Sequence, residues 1–509
     1  MRAADFHSVS LPGTVPRPLK LALLARHSLS VGVTLLLGAC TVGPDFVRPA
    51  PPTTTRYTAQ ALAAAVHADG QQQRFDADAA LPADWWRLFH CAQLDAAVQH
   101  ALDGNPTLAA SEASLRLSQD KLRAGYGLFY PQIDAGLDAR RQRSAPVQQG
   151  SAAPGSIFNL VTLSGTISYT LDLFGAQRRS VEGLQAARDY QAELNKAAYL
   201  ALSANVVNTN IARATYAAQM QATGALLALQ QEQLQLLSSQ VRSGAAPYAS
   251  LLAARAQIAA YQASLAVLQQ RHDQAGNLLA VLQGQAPADA SLPTIALGDL
   301  TLPQDLPRSL PSELVRQRPD ILAAEAQLHA ASANIGVATA AMLPSLTLSA
   351  GYGKAGASIG ALGGPGGTFW GIGPALAAPL FAGGTLRYER QAALDAYQQA
   401  QASYRQTVLS AFEQVADTLQ ALEHDAQALQ AQVAALRASD EARALLRVNY
   451  QAGMVPYADV LAADAQYYLS SLDYLQAVGQ RQQDTVALFA ALGGGWWNAP
   501  SADAAEPRP

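Results

Sequence analysis

The chain has 509 residues, of which 50% are hydrophobic and only 14% are charged, and its formal net charge is −4. Binding to nucleic acid requires a cationic surface, so this balance argues against such a partner. The eight histidines are scattered, and the motifs HExxH and GxxxxGK[ST] do not occur in the sequence. We therefore predict that the protein is not an enzyme, with no catalytic residue, no metal site and no cofactor.

Residues 1–39 are predicted to be a secretory signal, because basic residues precede an apolar run from Leu29 to Ala39 that is too short to span a membrane. The run ends in Leu37-Gly38-Ala39-Cys40, which resembles the bacterial lipobox. This resemblance implies that Cys40 is diacylated and becomes the first mature residue, with Thr41 compatible with sorting to the outer membrane. The alternative is an ordinary signal with an incidental cysteine. A disulfide between Cys40 and Cys91 is conceivable but nothing in the sequence supports it.

Residues 40–104 are predicted to form a strap and an equatorial segment. Thr41 to Thr55 is proline-rich and extended, residues 59–80 are expected to be irregular, and Trp85 to Asp103 is expected to be one amphipathic helix. Cys91 is interpreted as a small buried residue. Removal of the signal leaves 30 basic and 37 acidic side chains, a net charge of −7.

Strands are predicted over 132–140, 159–172, 345–352 and 368–380, as two hairpins with polar tips. The second strand shows the pattern best, with apolar residues on one face and hydroxyl residues on the other. The apolar set is Val161, Leu163, Ile167, Tyr169 and Leu171, and the hydroxyl set is Thr162, Ser164, Thr166, Ser168 and Thr170. This alternation favours a transmembrane β-barrel over a soluble hairpin packed on a helix.

Four strands cannot close a barrel, and an open edge in lipid would leave unpaired backbone groups. Several chains must therefore contribute. Two chains would give eight strands, whose interior fills with side chains, whereas three would give twelve strands and room for water. The hydroxyl-lined face favours three chains.

Long helices are predicted over 176–243 and 385–452, each followed by a tight turn and a returning helix, 247–284 and 456–492. The stretch from Thr385 to Ala452 contains no glycine or proline and would form a rod of roughly 100 Å. Its apolar residues recur with the 3.5-residue period of a coiled coil. The heptad positions are Val408, Val415, Leu422, Leu429 and Leu436, with Phe412, Leu419, Ala426 and Val433 between them.

The unit of strands and helices is predicted to occur twice. Gly244, Pro247 and Tyr248 match Gly453, Pro456 and Tyr457 at a constant offset of 209 residues. The predicted organisation is then a signal (1–39), a strap and equatorial segment (40–104), a first repeat (105–284), a connector (285–317), a second repeat (318–493) and a disordered tail (494–509).

Together these features resemble the outer membrane factor family, the TolC/OprM-like channels of tripartite efflux pumps, in its lipoprotein branch. The resemblance covers residues 40–495, and its most specific stretches are 40–49 (CTVGPDFVRP), 171–175 (LDLFG), 379–384 (PLFAGG), 450–453 (YQAG) and 459–461 (DVL). It implies an α+β membrane protein: a homotrimer with a 12-stranded barrel, four strands per chain, and a coiled-coil helical tunnel in the periplasm. It also implies docking to a periplasmic adaptor and an inner-membrane RND-type transporter.

The resemblance also implies site residues. The hairpins at 243–250 and 452–459, with Gly244, Pro247, Gly453 and Pro456, are expected at the periplasmic tip where an adaptor docks. Asp459 is expected to form an acidic ring at the constriction, although a carboxylate that stabilises the helix N-terminus is the alternative. Tyr450 matches a tyrosine that holds neighbouring helices together.

The sequence departs from the family pattern near this predicted gate. Val455 and Ser250 stand where such members carry Arg and Asp, and Ala462 replaces a second acid, with Asp464 two residues further on. The resemblance therefore does not identify what holds the closed state.

The sequence-based hypothesis for function is a passive outer-membrane exit channel for drugs or other small solutes. A type I protein-secretion duct is one alternative, and a non-conducting structural envelope lipoprotein is another. A hydroxyl-lined sheet face argues against the structural spacer, since a spacer needs no lumen.

Overall fold

The computed structural model describes residues 41–60, 63–76, 79–144 and 154–498, and it has an α+β fold. The helices and strands are numbered here in chain order. They are β1 (Ala65–Ala68), β2 (Gln71–Asp76), α1 (Ala92–Gly104), α2 (Pro106–Tyr126), β3 (Gln132–Arg143), β4 (Ile157–Leu171), α3 (Ala176–Arg242), α4 (Tyr248–Leu282), β5 (Asp305–Pro307), α5 (Pro311–Gln317), α6 (Pro319–Ala340), β6 (Ser345–Gly356), β7 (Thr368–Ala377), α7 (Thr385–Gln451) and α8 (Tyr457–Ala491).

The chain divides into two compact units. The sheet unit contains the strap up to Asp45 together with Gly125–Glu182 and Ser332–Leu394, and the helical unit contains Phe46–Ala124, Gly183–Ala331 and the chain from Asp395 onward.

The sheet unit carries a four-stranded antiparallel sheet in the order β3-β4-β6-β7. Both predicted hairpins are present, and β4 pairs with β6 to join them. The strand expected over 368–380 ends at Ala377, two residues before Pro379, which has no backbone N–H to donate to a neighbouring strand. β3 and β7 form the two edges of this sheet.

The strand register keeps the two faces of the sheet chemically distinct. Ile167 lies opposite Ile133 and Ala350, whereas Thr166 lies opposite Asp134 and Gly351. Hydroxyl groups meet across strands on the polar face, where Thr170 Oγ1 lies 3.1 Å from Thr347 Oγ1. A one-residue shift would mix the faces, so the pairing preserves the alternation that the sequence indicates.

The helical unit contains most of the length of the two long helices, α3 and α7, of 67 residues each. The predicted apolar seam of α7 lies in the interior, since Val415, Leu419, Leu422, Ala426 and Leu429 are all buried. Helix α4 is the one described helix that is long and apolar enough, by length and composition alone, to cross a membrane.

The equatorial segment corrects two predictions. Residues 59–80 were expected to be irregular, but β1 and β2 form a hairpin there, and β2 pairs in parallel with β5 of the connector. The turn is Asp69-Gly70, with φ of 51° and 72°, and Asp-Gly is a strong hairpin sequence. The helix expected over Trp85–Asp103 is interrupted, because a 3-10 turn ends at His90 with φ of 48° before α1 begins.

The main core of the helical unit is formed by the equatorial segment packed against the helices. Trp85 is 1% exposed and contacts Phe489, with ring centroids 5.7 Å apart. Cys91 is a buried free thiol in the same cluster, which confirms its interpretation as a small core residue. The strap packs against α6 of this unit. The ring centroids of Phe46 and His329 are 4.3 Å apart, and Arg48 forms an ion pair of 2.6 Å with Glu325.

Candidate gate and membrane-anchor sites

The two turns of the predicted tip have the same backbone geometry. Gly244 and Gly453 have φ of 76° and 72°, a conformation that costs glycine little. In each turn the residue after the glycine donates its N–H five positions back, from Ala245 to Gln240 O at 2.8 Å and from Met454 to Asn449 O at 2.9 Å. The long helices therefore end in the same way.

Each returning helix begins after a proline. Pro247 and Pro456 lie at the N-caps of α4 and α8, with ψ of 141° and 156°. Proline has a fixed φ and no N–H, so it suits a position where no helical hydrogen bond is made. The four tip residues thus set two rigid turns from which α4 and α8 run back.

Tyr450 lies at the end of α7, and its side chain contacts residues of the same chain. Its hydroxyl donates to Gln240 Oε1 of α3 at 2.9 Å, and its ring centroid is 5.4 Å from that of Tyr457. The Tyr457 hydroxyl in turn donates to Gln233 Oε1 of α3 at 3.2 Å. Two tyrosines at the α7–α8 turn therefore bind two glutamines that lie seven residues apart on α3.

Asp459 is exposed on the first turn of α8. Its carboxylate lies near the helix N-terminus, where the helix dipole stabilises a negative charge. In the single chain this side chain is presented to solvent and is not part of the contacts of Tyr450.

A buried ion pair joins α7 and α8 close to the turn between them. Arg447 Nη2 on α7 donates to Asp464 Oδ1 on α8 at 2.7 Å, and Gln230 Nε2 on α3 donates to Asp464 Oδ2 at 2.7 Å. Asp464 is fully buried, and this burial raises the pKa of its carboxyl although Arg447 acts in the opposite direction. One carboxylate therefore joins three helices.

A cavity of about 510 Å³ lies beside these contacts. It is lined by Arg447, Tyr450 and Tyr457 together with Leu237 of α3 and Val460 of α8. The helices are therefore joined here by polar contacts and by a small apolar cluster of Leu237, Ala254, Tyr457, Val460 and Leu461, with open space beside them. Such an arrangement can change its spacing more easily than a close-packed one.

Arg447 and Gln230 were not among the site residues predicted from the sequence. The sequence offered one signal for this site, the two acidic residues Asp459 and Asp464. Of these, only Asp464 is buried on α8. Its partners lie 17 and 234 positions away in the sequence. Helix periodicity indicates which residues are buried, but it does not identify such distant partners.

The second site lies where the strap joins the sheet unit. Val42 N–H donates to Phe174 O at 3.0 Å, and Arg179 Nη2 donates to Asp45 Oδ1 at 2.6 Å. Gly43 has φ of 93°, and a side chain there would place its Cβ 2.4 Å from Gly336 Cα. The residues that follow Cys40 are therefore fixed. Cys40 itself lies outside the described residues.

The comparisons with known proteins identify the family. The family model described as outer membrane efflux protein matches residues 97–285 and 310–494. The chain is 30% identical to the outer membrane protein OprJ of Pseudomonas aeruginosa, over 91% of this chain and 95% of that protein. It is 28% identical to the cation efflux system protein CusC of Escherichia coli, over 91% and 97%.

The fold agrees with a solved structure as well. The outer-membrane channel OprN superposes with a TM-score of 0.81 and 27% identity, over 90% of this chain and all of that chain. These matches confirm the resemblance and the outer-membrane location. The chain is a member of the outer membrane efflux protein family, and it is a channel protein rather than an enzyme.

Proposed function

We propose that three copies of this chain assemble into a homotrimer and serve as the exit channel of a tripartite efflux system. Their sheets close a 12-stranded barrel in the outer membrane, and their helices continue it as a tunnel in the periplasm. Drugs or other small solutes pass through passively when the channel is docked to a periplasmic adaptor and an inner-membrane RND-type transporter. The observation that carries this proposal is the four-stranded amphipathic sheet with two unpaired edges.

The outer edges of β3 and β7 pair with no other strand among the described residues. In a bilayer each unpaired backbone group costs several kcal/mol, so the edges require partners from other chains. The apolar face suits lipid contact: Ile133 is 74% exposed, and Trp370 and Ile372 are 73% and 78% exposed. The opposite face carries the hydroxyl groups and suits water.

The long helices also support assembly. Large apolar side chains remain exposed along them in the single chain, including Leu409, Leu445 and Val448 of α7 at 61–62%. A row of such residues on a soluble surface is costly, since burial of apolar area is worth roughly 25 cal/mol per Å². Packing against neighbouring copies would bury them.

The test of this function is oligomeric state together with conductance. We expect the detergent-solubilised protein to have the mass of a trimer, and to conduct weakly in planar bilayers because its tip is closed. Disulfide pairs engineered between β3 and β7 should link one chain to the next. A stable monomer whose sheet is cut by protease in intact vesicles would refute the proposal.

At the tip, Gly244, Pro247, Gly453 and Pro456 are proposed to shape the turns that an adaptor contacts. Their support is the shared turn geometry, which places two equivalent turns on each chain. In the proposed trimer this yields six turns around one axis.

Asp459→Ala is expected to lower the cation preference of the channel several-fold. Three exposed carboxylates around one axis would repel anions and attract cations, and the substitution removes them all. The measurement is the reversal potential under a salt gradient in planar bilayers. Asp459→Glu retains the charge and should retain the preference. Equal ion selectivity in the wild type and the alanine variant would contradict the proposed acidic ring.

Cys40→Ser is expected to abolish fatty-acid attachment, since the lipobox supplies no other thiol at this position. The measurement is metabolic labelling with palmitate, followed by intact mass. Cys91→Ser is the matched control, because that thiol is buried in the core. Label retained in the Cys40 variant would contradict the assignment of the anchor.

A further inference from the structure

A second cavity, of about 540 Å³, lies within the helical unit and far along the chain from the tip residues. Its walls come from α3, from the connector at 294–302 and from α8, with the β1–β2 turn at one side. Its apolar lining is formed by Leu297, Leu300, Leu302, Leu429 and Val478. The volume is typical of pockets for small organic ligands, which measure roughly 300–1,000 Å³.

Arg481 supplies a buried charge to this cavity. It is 2% exposed, its Nε donates to Gln73 Oε1 at 2.9 Å, and its Nη1 donates to Ala68 O at 3.2 Å. Its Nη2 has no hydrogen-bond partner, and Arg481 is in no ion pair with a described residue. Burial lowers the pKa of this guanidinium. The positive charge is therefore desolvated without a direct ion-pair partner among the described residues.

The charges of Asp425 and Asp69 act on this guanidinium and raise its pKa, but neither carboxyl forms an ion pair with it among the described residues. Asp69 lines the same cavity, but its Oδ2 accepts the hydroxyl of Tyr474 at 2.8 Å. Burial raises the pKa of Asp425 to about 8, and the neighbouring Asp484 acts in the same direction, so this pair of carboxyls carries less than its full negative charge at neutral pH. A buried guanidinium N–H without an acceptor is costly, and an anionic oxygen would satisfy it best.

Gln482 adds a second unsatisfied atom at the next position. It is 4% exposed and lines the cavity, its Nε2 donates to Leu300 O at 3.3 Å, and its Oε1 has no partner. Arg481 and Gln482 thus offer one free donor and one free acceptor beside an apolar wall. Two such groups on one pocket indicate a ligand that carries both polar and apolar parts.

We propose that this cavity binds a small amphipathic organic anion, such as an aryl sulfonate or carboxylate. The anionic oxygens accept from Arg481 Nη2, and the apolar body packs against Leu297, Leu300 and Val478. A bare phosphate would leave that apolar wall uncovered. The bound anion would contact α3, α8 and the connector together, so its binding is expected to stabilise their mutual packing.

The test is calorimetric titration of naphthalene-2-sulfonate into the intact protein in lipid nanodiscs, with empty nanodiscs subtracted. We expect saturable binding with Kd below about 1 mM. The neutral naphthalene-2-sulfonamide, which has nearly the same shape, should bind at least tenfold more weakly. Arg481→Gln should weaken sulfonate binding at least tenfold, and Arg481→Lys should restore part of it.

A second variant addresses the case in which Arg481→Gln fails to fold. Ala214 is 2% exposed and lines the cavity, so Ala214→Leu must occupy part of its volume, whereas Ala214→Ser changes it little. We expect the leucine variant to lose binding at least tenfold and the serine variant to keep it. No saturable heat up to about 1 mM, equal binding of the sulfonamide, or full binding in Ala214→Leu would each overturn the proposal.

Discussion

Arg447→Ala is expected to destabilise the helical unit by about 3–5 kcal/mol, because it leaves the carboxylate of Asp464 buried without its cation. Asp464 is fully buried, and among the described residues only Gln230 would remain as a hydrogen-bond partner, with the charge of Arg443 acting from further away. The measurement is unfolding in guanidinium, followed by circular dichroism of the helices. The same variant should raise single-channel conductance several-fold, since this ion pair joins α7 to α8 near the proposed gate.

The loss of stability should depend on pH. Burial already raises the pKa of Asp464, and removal of Arg447 raises it further. A carboxyl with a raised pKa contributes stability at low pH, and that contribution is lost as pH rises through the folded-state pKa. Arg447→Ala should therefore cost less at pH 5 than at pH 8.

Two controls separate the buried pair from a general effect of arginine removal. Arg437→Ala changes an exposed arginine on the same helix, and we expect a cost below about 0.5 kcal/mol. The double variant Arg447→Met with Asp464→Leu replaces the pair with apolar side chains and should recover much of the stability. A cost for Arg447→Ala as small as that for Arg437→Ala would show that the pair does not hold these helices.

The elements that could be predicted from sequence are those set by local periodicity. The seam from Val415 to Leu429 repeats every seven residues and is buried as expected. The alternation along β4 predicts two faces, and the register of β3 and β6 preserves them. Gly453 followed by Pro456 predicts a left-handed helix end and a new helix start, which the φ of 72° confirms.

The elements that could not be predicted depend on distant partners. β2 is short and rich in glutamine, and its Gln73 is fully buried because it binds Arg481, 408 residues away. The composition of residues 59–80 by itself indicates an irregular segment, because composition does not reveal this distant partner. The Asp69-Gly70 turn was a usable local signal for this hairpin.

The same limit applies to the candidate gate. Tyr450 was identified by resemblance, but its partner Gln240 was not. This contact, like the one between Tyr457 and Gln233, depends on how α3 packs beside the α7–α8 turn. The chain departs from the family pattern at three positions near the predicted gate, which are Val455, Ser250 and Ala462. Only the packed helices show that Arg447, Asp464 and Gln230 provide a different set of contacts.

A pair of acids between α7 and α8 makes the helical unit sensitive to pH. Burial raises the pKa of Asp425 to about 8, and the hydrogen bond and negative charge of Asp484 act in the same direction, whereas Arg481 opposes them. Asp484 also accepts Gln480 Nε2 at 2.9 Å. Below about pH 8 one proton is therefore held between the two helices.

Asp425→Asn is expected to remove a loss of stability that the wild type shows as pH rises from about 4 to 8. Between the unfolded value of 3.8 and the folded value of about 8, the folded chain holds a proton that the unfolded chain has lost. This contribution is complete below the unfolded pKa and disappears as pH rises through the folded pKa. After allowance for solvent screening we expect an effect of about 1–2 kcal/mol.

The measurement is the difference in guanidinium unfolding free energy between variant and wild type, taken at several pH values so that other titrating groups cancel. At pH 9 the asparagine variant should be the more stable protein, because it keeps a neutral donor for Asp484, and at pH 4 the difference should be small. Asp417→Asn, at an exposed position of the same helix, should change stability by less than about 0.5 kcal/mol at each pH. A pH-independent difference for Asp425→Asn would mean that the two carboxyls do not share a proton, and that α7 and α8 are held together here by apolar packing alone.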